Sequence, residues 1–393
     1  MASHLLEQLP SRFIGGSEKL KPTRFRLSIG RTVRDVVATN KTCRVEKASG
    51  EPDVEISTDL ATWKSIDAGD LSGVEAFASG KLTVRGSIEK TLLFEPLFER
   101  GDGDGFRYVL ERVSLGGIEM SALIAGPEDA PPLVLIHGLG ATKASWLPIV
   151  PQLAKSHRIY AIDLPGFGSS SKPRGKYNAE WFADHVFRFL DMVGEEKAFV
   201  AGNSLGGRVA IEMAMQDRER VLGIACLCPA AAFTYRPALA LVKVLRPELG
   251  FAALRLPRHR LKDNLKQLFC DPQTINAHWY DAAVDDFLYT WKSVRARMAF
   301  FAALRNVYLD EPDGDDGFWR RLSEIKTPSM FIYGRKDVLI TPRFGPRVQK
   351  MLPSAKVVVW EDCGHVPQLE HPDRTVEELT EFFAAVTTRA MAG

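Results

Sequence analysis

Gly202-Asn203-Ser204-Leu205-Gly206 is the stretch whose reading decides the fold. The apolar run Lys197-Ala198-Phe199-Val200-Ala201 leads into it as a short strand would. Gly207-Arg208-Val209-Ala210-Ile211-Glu212-Met213-Ala214 leaves it with apolar residues at helical spacing. A serine in so sharp a strand-to-helix turn is strained, with its oxygen exposed, and only residues without bulk fit two positions to either side. Gly202 and Gly206 occupy those positions. The pattern alone is common in loops; between a strand and a helix it marks a nucleophile.

This strand–turn–helix resembles the serine turn of α/β-hydrolases, and the resemblance implies an acid and a histidine following the serine in that order along the chain. Pro328-Ser329-Met330-Phe331-Ile332-Tyr333-Gly334 reads as a buried parallel strand, and Asp337 follows its carboxyl end. Lys356-Val357-Val358-Val359-Trp360 reads as the next strand, with His365 in the loop after it. Ends of neighbouring parallel strands converge on one rim of an open sheet, where ligands bind. The wide gap from Ser204 to Asp337 leaves room for an insertion. Glu361 and Asp362 are alternative orienters, but they stand too close to His365 in sequence for the usual geometry. Asp163 also ends a strand, yet it precedes the serine. His137 is assigned to loop geometry, and His371 to the start of the last helix.

The chemistry distributes the roles. Ser204 needs an adjacent base; His365 takes its proton and returns it to the leaving group. Asp337 fixes the imidazole tautomer and stabilises the imidazolium. Two backbone N–H groups must face the developing oxyanion. Leu205 supplies one. The loop His137-Gly138-Leu139-Gly140, after Pro132-Leu133-Val134-Leu135-Ile136, supplies the other through Leu139, with Gly138 as the alternative.

From about residue 115 to 390 the chain resembles α/β-hydrolase-fold enzymes of the esterase, lipase and C–C hydrolase group. The likeness runs through His137-Gly138-Leu139-Gly140, Asp163-Leu164-Pro165-Gly166-Phe167-Gly168-Ser169-Ser170, the turn at Ser204, Gly334-Arg335-Lys336-Asp337 and Cys363-Gly364-His365. It implies an α/β-hydrolase sheet with helices on both faces and a helical cap at about residues 231–322. Serine at position 204 excludes the relatives that use an aspartate nucleophile. Ring-fission C–C hydrolases resemble the chain at Gly202-Asn203-Ser204, but their oxyanion loop usually carries Gly-Pro-Gly where this one reads Gly138-Leu139-Gly140. Ester hydrolysis is the leading expectation and C–C bond hydrolysis the runner-up. A non-catalytic lipid-binding or transfer protein is the alternative from another class.

Residues 1–105 precede the hydrolase and are patterned too strongly for a tail. Thr23–Ile29, Asp53–Thr58 and Lys81–Gly86 alternate polar and apolar residues as half-buried strands do. Asp59–Ile66 reads as a helix capped by Asp59 or Thr58, and Ser72–Ala78 as another. This small α+β domain resembles the sterol-carrier-protein lipid-binding family from Asp53 to Phe98, including Ala76-Phe77-Ala78-Ser79-Gly80-Lys81-Leu82-Thr83-Val84-Arg85-Gly86 and the helix at Thr91–Phe98. The resemblance implies an apolar tunnel for acyl or sterol ligands; Leu92, Leu93, Phe94, Leu97 and Phe98 otherwise fill the domain's core. Gly101-Asp102-Gly103-Asp104-Gly105 reads as a hinge, dividing 1–105 from 106–393.

The insertion reads as helices at Pro237–Lys243, Phe251–Arg255 and Met298–Leu304, whose apolar walls would select substrate and exclude water. Arg255, Arg258, Arg260, Lys262 and Lys266 among leucines form either a solvated helix face or a surface for transient contact with an anionic membrane. Asp310, Glu311, Asp313, Asp315 and Asp316 form an acidic loop without EF-hand spacing. No cofactor or metal ion is called for. At 393 residues, with 45% hydrophobic and 25% charged residues and a net charge of +2, the chain makes no general case for nucleic acid. Its five cysteines lack zinc-like spacing, and nothing demands an oxidising compartment. The amino terminus has no basic region before a long apolar core, so the expectation is a cytoplasmic protein acting on a hydrophobic ester or lipid.

Overall fold

The computed structural model describes residues 2–16, 20–231, 246–252 and 256–392. The helix expected at Pro237–Lys243 lies outside them, as does the end of the one expected at Phe251–Arg255. Pro247–Phe251 forms a 3-10 turn.

The chain clusters into two compact units. The first holds residues 1–111 together with Leu123–Ala125 and Ile275–Tyr289. Its five strands run in the order β3-β2-β1-β4-β5, from β1 (Thr23–Ile29), β2 (Thr32–Ala38), β3 (Cys43–Lys47), β4 (Val54–Thr58) and β5 (Leu82–Gly86). β1 pairs antiparallel with β2 and parallel with β4, placing the early hairpin on one side and the later strands on the other. The alternation in Thr23–Ile29 follows the pleat: Phe25, Leu27 and Ile29 are buried, whereas Arg24, Arg26 and Ser28 are half-buried.

The helices begin where the sequence signals them. Asp59 accepts from Thr62 N at 2.7 Å at the head of Leu60–Ala68. Ser72 and Glu75 make a reciprocal capping box at the head of Gly73–Ala78. In Ile88–Phe94 and the turn after it, Leu92, Phe94, Leu97 and Phe98 are buried, and Phe94 packs 5.0 Å from both Phe25 and Phe98. They fill this unit's core. The glycine run read as a hinge is packed down instead. A Cβ on Gly101 would meet Ala68 O at 2.1 Å, and Gly105 N donates to Gly69 O at 2.8 Å. These glycines permit close approach to a helix end.

The second unit is built on an eight-stranded sheet ordered β13-β12-β11-β10-β8-β9-β7-β6, of which only residues 108–111 and 123–125 cluster with the first unit. Its strands are β6 (Tyr108–Ser114), β7 (Glu119–Ala125), β8 (Pro132–Ile136), β9 (Arg158–Ile162), β10 (Ala198–Asn203), β11 (Val221–Leu227), β12 (Ser329–Gly334) and β13 (Lys356–Trp360). β8 to β13 pair parallel throughout. β8, β10, β11 and β12 are mostly apolar and nearly all buried, as expected for strands covered on both faces. The register aligns their carboxyl ends: Gly202 pairs with Ile136, Asn203 with Leu227, and Gly334 with Trp360. Loops leaving β8, β10, β12 and β13 therefore open on one rim. No helix among the described residues is long and apolar enough to cross a membrane.

Candidate active site

Ser204 stands between β10 and the helix Leu205–Gln216 with φ 54° and ψ −113°. A side-chain-bearing residue in the left-handed region carries strain, held only where surroundings over-determine it. The surroundings here are tight. A Cβ on Gly202 would lie 2.2 Å from Gly206 C, and one on Gly206 would lie 2.0 Å from Ile136 O. Ser204 N donates to Leu227 O at 2.9 Å, and Ala230 N donates to Ser204 O at 3.0 Å. The turn is thus fastened on both sides.

Asp337 and His365 meet. His365 Nδ1 lies 2.7 Å from Asp337 Oδ2, with the aspartate side chain fully buried and the histidine 4% exposed. The other carboxylate oxygen accepts from Leu339 N at 2.7 Å and Ile340 N at 2.8 Å, which fixes its direction. The two loops are stitched together: Arg335 N donates to Trp360 O at 2.8 Å and Lys336 N to Cys363 O at 3.0 Å. Glu361, one alternative orienter, pairs with Arg335 at 2.7 Å, and Asp362 with Arg374 at 3.3 Å. Neither takes the place of Asp337 on the imidazole.

Asn203 has a part that sequence reasoning missed. Its Nδ2 donates to Leu227 O and to His365 O, each at 3.0 Å. One buried amide therefore ties the strand before Ser204 to the loop bearing His365, across 162 residues of sequence. Residue type offered the only hint: an amide buried at a strand end must find partners. Cys228 also gathers here, its thiol 3.5 Å from Gly364 O. Burial, reinforced by the Asp337 carboxylate, pushes that thiol well above its ordinary pKa.

The loop after β8 closes on the serine. A Cβ on Gly138 would lie 3.4 Å from the Cβ of Ser204 and 3.4 Å from Asn203 Oδ1. Leu139 follows it, half-buried, and Leu205 is buried at the first position of the helix Leu205–Gln216. His137 holds this loop: its Nδ1 contacts Gly138 O at 2.7 Å, and Leu164 N donates to its Nε2 at 3.1 Å. Burial lowers its pKa despite the pull of Asp163, so it stays neutral and accepts through Nε2. Beneath lies a buried ion pair, Lys143 Nζ to Asp163 Oδ2 at 2.8 Å, both side chains sealed from solvent. Burial opposes the Asp163 charge; the Lys143 ammonium overrides it and holds the carboxyl down at about 2. Lys143 N and Ser169 N also donate to that carboxylate, at 2.7 and 2.9 Å. One buried acid thus ties the loop after β8 to the turn after β9.

Two groups have metal-like spacing among the described residues: Cys228, Asp337 and His365, and Cys363, Glu370 and His371. Both have protein partners. Asp337 and His365 bond each other, and Glu370 accepts from Cys270 N at 2.6 Å and Gly364 N at 2.7 Å. On the helix that follows Ser204, Arg208 bridges Glu212 and Asp310, each at 2.8 Å, and all three line a polar cavity of about 200 Å³ whose lining includes none of Ser204, Asp337 and His365. In the expected acidic loop, Asp310 pairs with Arg208, Asp313 with Arg347 and Asp315 with Arg320. The basic stretch forms the helix Arg258–Lys266, which buries none of its residues; Leu254 and Arg255 lie outside the described residues.

Residues 133–378 match the model of the Alpha/beta hydrolase family, and residues 17–99 that of the SCP-2 sterol transfer family. A pimeloyl-[acyl-carrier protein] methyl ester esterase of Aeromonas hydrophila is 31% identical over 67% of this chain and 99% of its own length. A 2-hydroxymuconate semialdehyde hydrolase of Pseudomonas sp. (strain CF600) is 28% identical over 66% of this chain and 89% of its own. Among solved structures, a bacterial membrane phospholipase A superimposes with a TM-score of 0.60 at 27% identity, over 71% of this chain and 87% of that one. The chain belongs to the alpha/beta hydrolase family, with an amino-terminal domain of the SCP-2 sterol transfer type.

Proposed function

We propose that the protein is a serine hydrolase that cleaves a hydrophobic carboxylic ester through an acyl-enzyme. The observation that carries this reading is the 2.7 Å contact between His365 Nδ1 and Asp337, on the rim where Ser204 stands in its strained turn. With Nδ1 committed to the carboxylate, Nε2 is the nitrogen left for the serine. Ser204 Oγ attacks the ester carbonyl while His365 Nε2 takes its proton. The N–H groups of Leu139 and Leu205 receive the negative charge forming on the carbonyl oxygen. Collapse breaks the bond to the alkoxy oxygen, and the imidazolium returns the proton to the departing alcohol. Water then attacks the acyl-serine, its proton passing to the same nitrogen, and the acid and free Ser204 are released. Asp337 stabilises the imidazolium in both halves.

The insertion acts as a cap whose apolar residues select the acyl part, and the amino-terminal domain holds a lipid or acyl ligand. Support comes from esterase relatives and from the sterol-transfer match at residues 17–99. The test is hydrolysis of p-nitrophenyl esters from acetate to palmitate, with fluorophosphonate labelling of Ser204. Activity absent in Ser204→Ala, with an optimum at longer acyl chains, is the expected result. No turnover of any ester by folded wild type would remove the reading. A ring-fission relative at 28% identity favours one second reading, C–C bond cleavage by the same serine and histidine. Turnover of a vinylogous diketone in preference to all esters would establish it.

A further inference from the structure

The insertion between Ser204 and Asp337 does not cluster as one piece. Residues through Thr274 and from Thr290 group with the hydrolase sheet, whereas Ile275–Tyr289 groups with residues 1–111. That segment is most of one helix, Ala277–Trp291. Tyr280 and Val284 are buried on one side of it, Ala282 and Asp286 on the opposite side. By its contacts, this helix segment belongs to the first unit.

Its attachment within the first unit is polar and specific. Asp285 Oδ2 accepts from Arg85 Nε at 2.9 Å and from Gly86 N at 3.2 Å. Asp286 Oδ1 accepts from Ile88 N at 3.1 Å, a buried contact 198 residues apart in sequence. Gly86 closes β5 and Ile88 opens the helix Ile88–Phe94. The first N–H groups of a helix have no acceptor inside it. Ser87 Oγ serves Lys90 N at 3.3 Å, and Ile88 N is served by the insertion. Two further contacts mark the ends of the segment. A Cβ on Gly80 would lie 2.5 Å from Asn276 Nδ2, and the Lys90 ammonium sits 5.3 Å from the Tyr289 ring.

We propose that the amino-terminal domain is the docking partner that holds the cap helix Ala277–Trp291, through Asp285 and Asp286 on the turn at residues 85–88, and thereby helps set the acyl selectivity of the hydrolase. The link to selectivity runs along the chain at residues 274–275 and 289–290, and it rests on the reading of the insertion as a substrate-selecting cap. The domain is then a structural component of the enzyme as well as a lipid-binding module. Asp286 is the stronger anchor, because it is buried and answers an N–H with no other acceptor in its own helix. Arg85 and Asp285 are 52% and 15% exposed and add a weaker, screened pair.

The test uses the full chain with Asp286→Ala and Asp286→Asn. Asparagine keeps an oxygen acceptor where alanine has none. Hydrogen exchange is followed in residues 275–289 and 86–92, beside kcat/KM for a long-chain and an acetyl p-nitrophenyl ester. In Asp286→Ala, exchange in both segments rises about fivefold to tenfold. The long-to-acetyl ratio shifts by about threefold or more, while fluorophosphonate labelling of Ser204 persists. Asp286→Asn stays near wild type. Unchanged exchange in residues 275–289 would overturn the docking, and raised exchange with an unchanged ratio would overturn the link to selectivity. If Asp286→Ala does not fold, Arg85→Asp and Asp285→Arg replace it: each alone raises exchange, and the double reversal restores it. A double reversal no better than the singles counts against the docking. Should wild type cleave no ester, the esterase reading and its selectivity link fall, while exchange still decides the docking.

Discussion

Asn203 and Asp337 do different work on the same residue, His365. Asp337 bonds the ring at 2.7 Å, whereas Asn203 holds the backbone of the same residue at 3.0 Å. Asp337→Asn is expected to lower kcat by about 10⁴-fold with little change in melting temperature, because the ring keeps a partner but takes the wrong tautomer. Steady-state kinetics beside calorimetry checks this. Asn203→Ala removes one donor from two buried carbonyls and should cost about 1–3 kcal/mol of stability. Because that donor also places His365, kcat should fall by about 10–100-fold. Loss of stability with unchanged kcat would reduce Asn203 to a structural residue. The role of Asp337 was legible from its place after a strand, whereas that of Asn203 was not.

Between elements, the buried Lys143–Asp163 pair joins the loop after β8 to the turn after β9. Lys143→Met leaves the Asp163 charge uncompensated and should destabilise by about 3–5 kcal/mol, read from urea midpoints. The pH dependence has a definite sign. Asp163 titrates at about 2 when folded, below the value near 3.9 of a free aspartate. Its contribution is therefore complete above about pH 4 and is lost as pH falls toward 2. Wild type should lose stability more steeply across that window than Asp163→Asn; equal slopes would show that another carboxylate governs it. The same logic of close fit applies at Gly206, where a Cβ would lie 2.0 Å from a strand carbonyl. Gly206→Ala should cost about 3 kcal/mol or more and abolish serine labelling in whatever fraction folds.

For the whole molecule, sequence order and unit membership part company. Residues 275–289 belong by contact to the unit formed by residues 1–111, although 163 residues separate the two stretches in the chain. A fragment ending at residue 111 would lack the acceptors for Gly86 N and Ile88 N. It should exchange faster at residues 86–92 than the intact chain and unfold at lower urea. Equal protection would mean that the amino-terminal domain completes itself.

The sequence by itself determined the local grammar of both units. Alternation marked β1, β4 and β5; Asp59 and Ser72 marked two helix starts; Gly202 and Gly206 marked the strained turn. These are short-range signals, set by pleat, capping and steric bulk among a few neighbours. The apolar runs of β8, β10, β12 and β13 were equally plain, and with the family segments they led to the α/β-hydrolase fold and its amino-terminal companion. The hairpin strands β2 and β3 went unread, because Arg34 and Asp35 break the alternation of one and charged residues leave the other without a buried face. Only the tertiary structure decided what depends on distant partners: the amide of Asn203 on His365, Lys143 on Asp163, and the packing of Gly101 against Ala68. It also decided where the helix at Ala277–Trp291 belongs. Its acids look like any solvated helix face until the N–H groups that they answer, some two hundred residues earlier, come into place beside them.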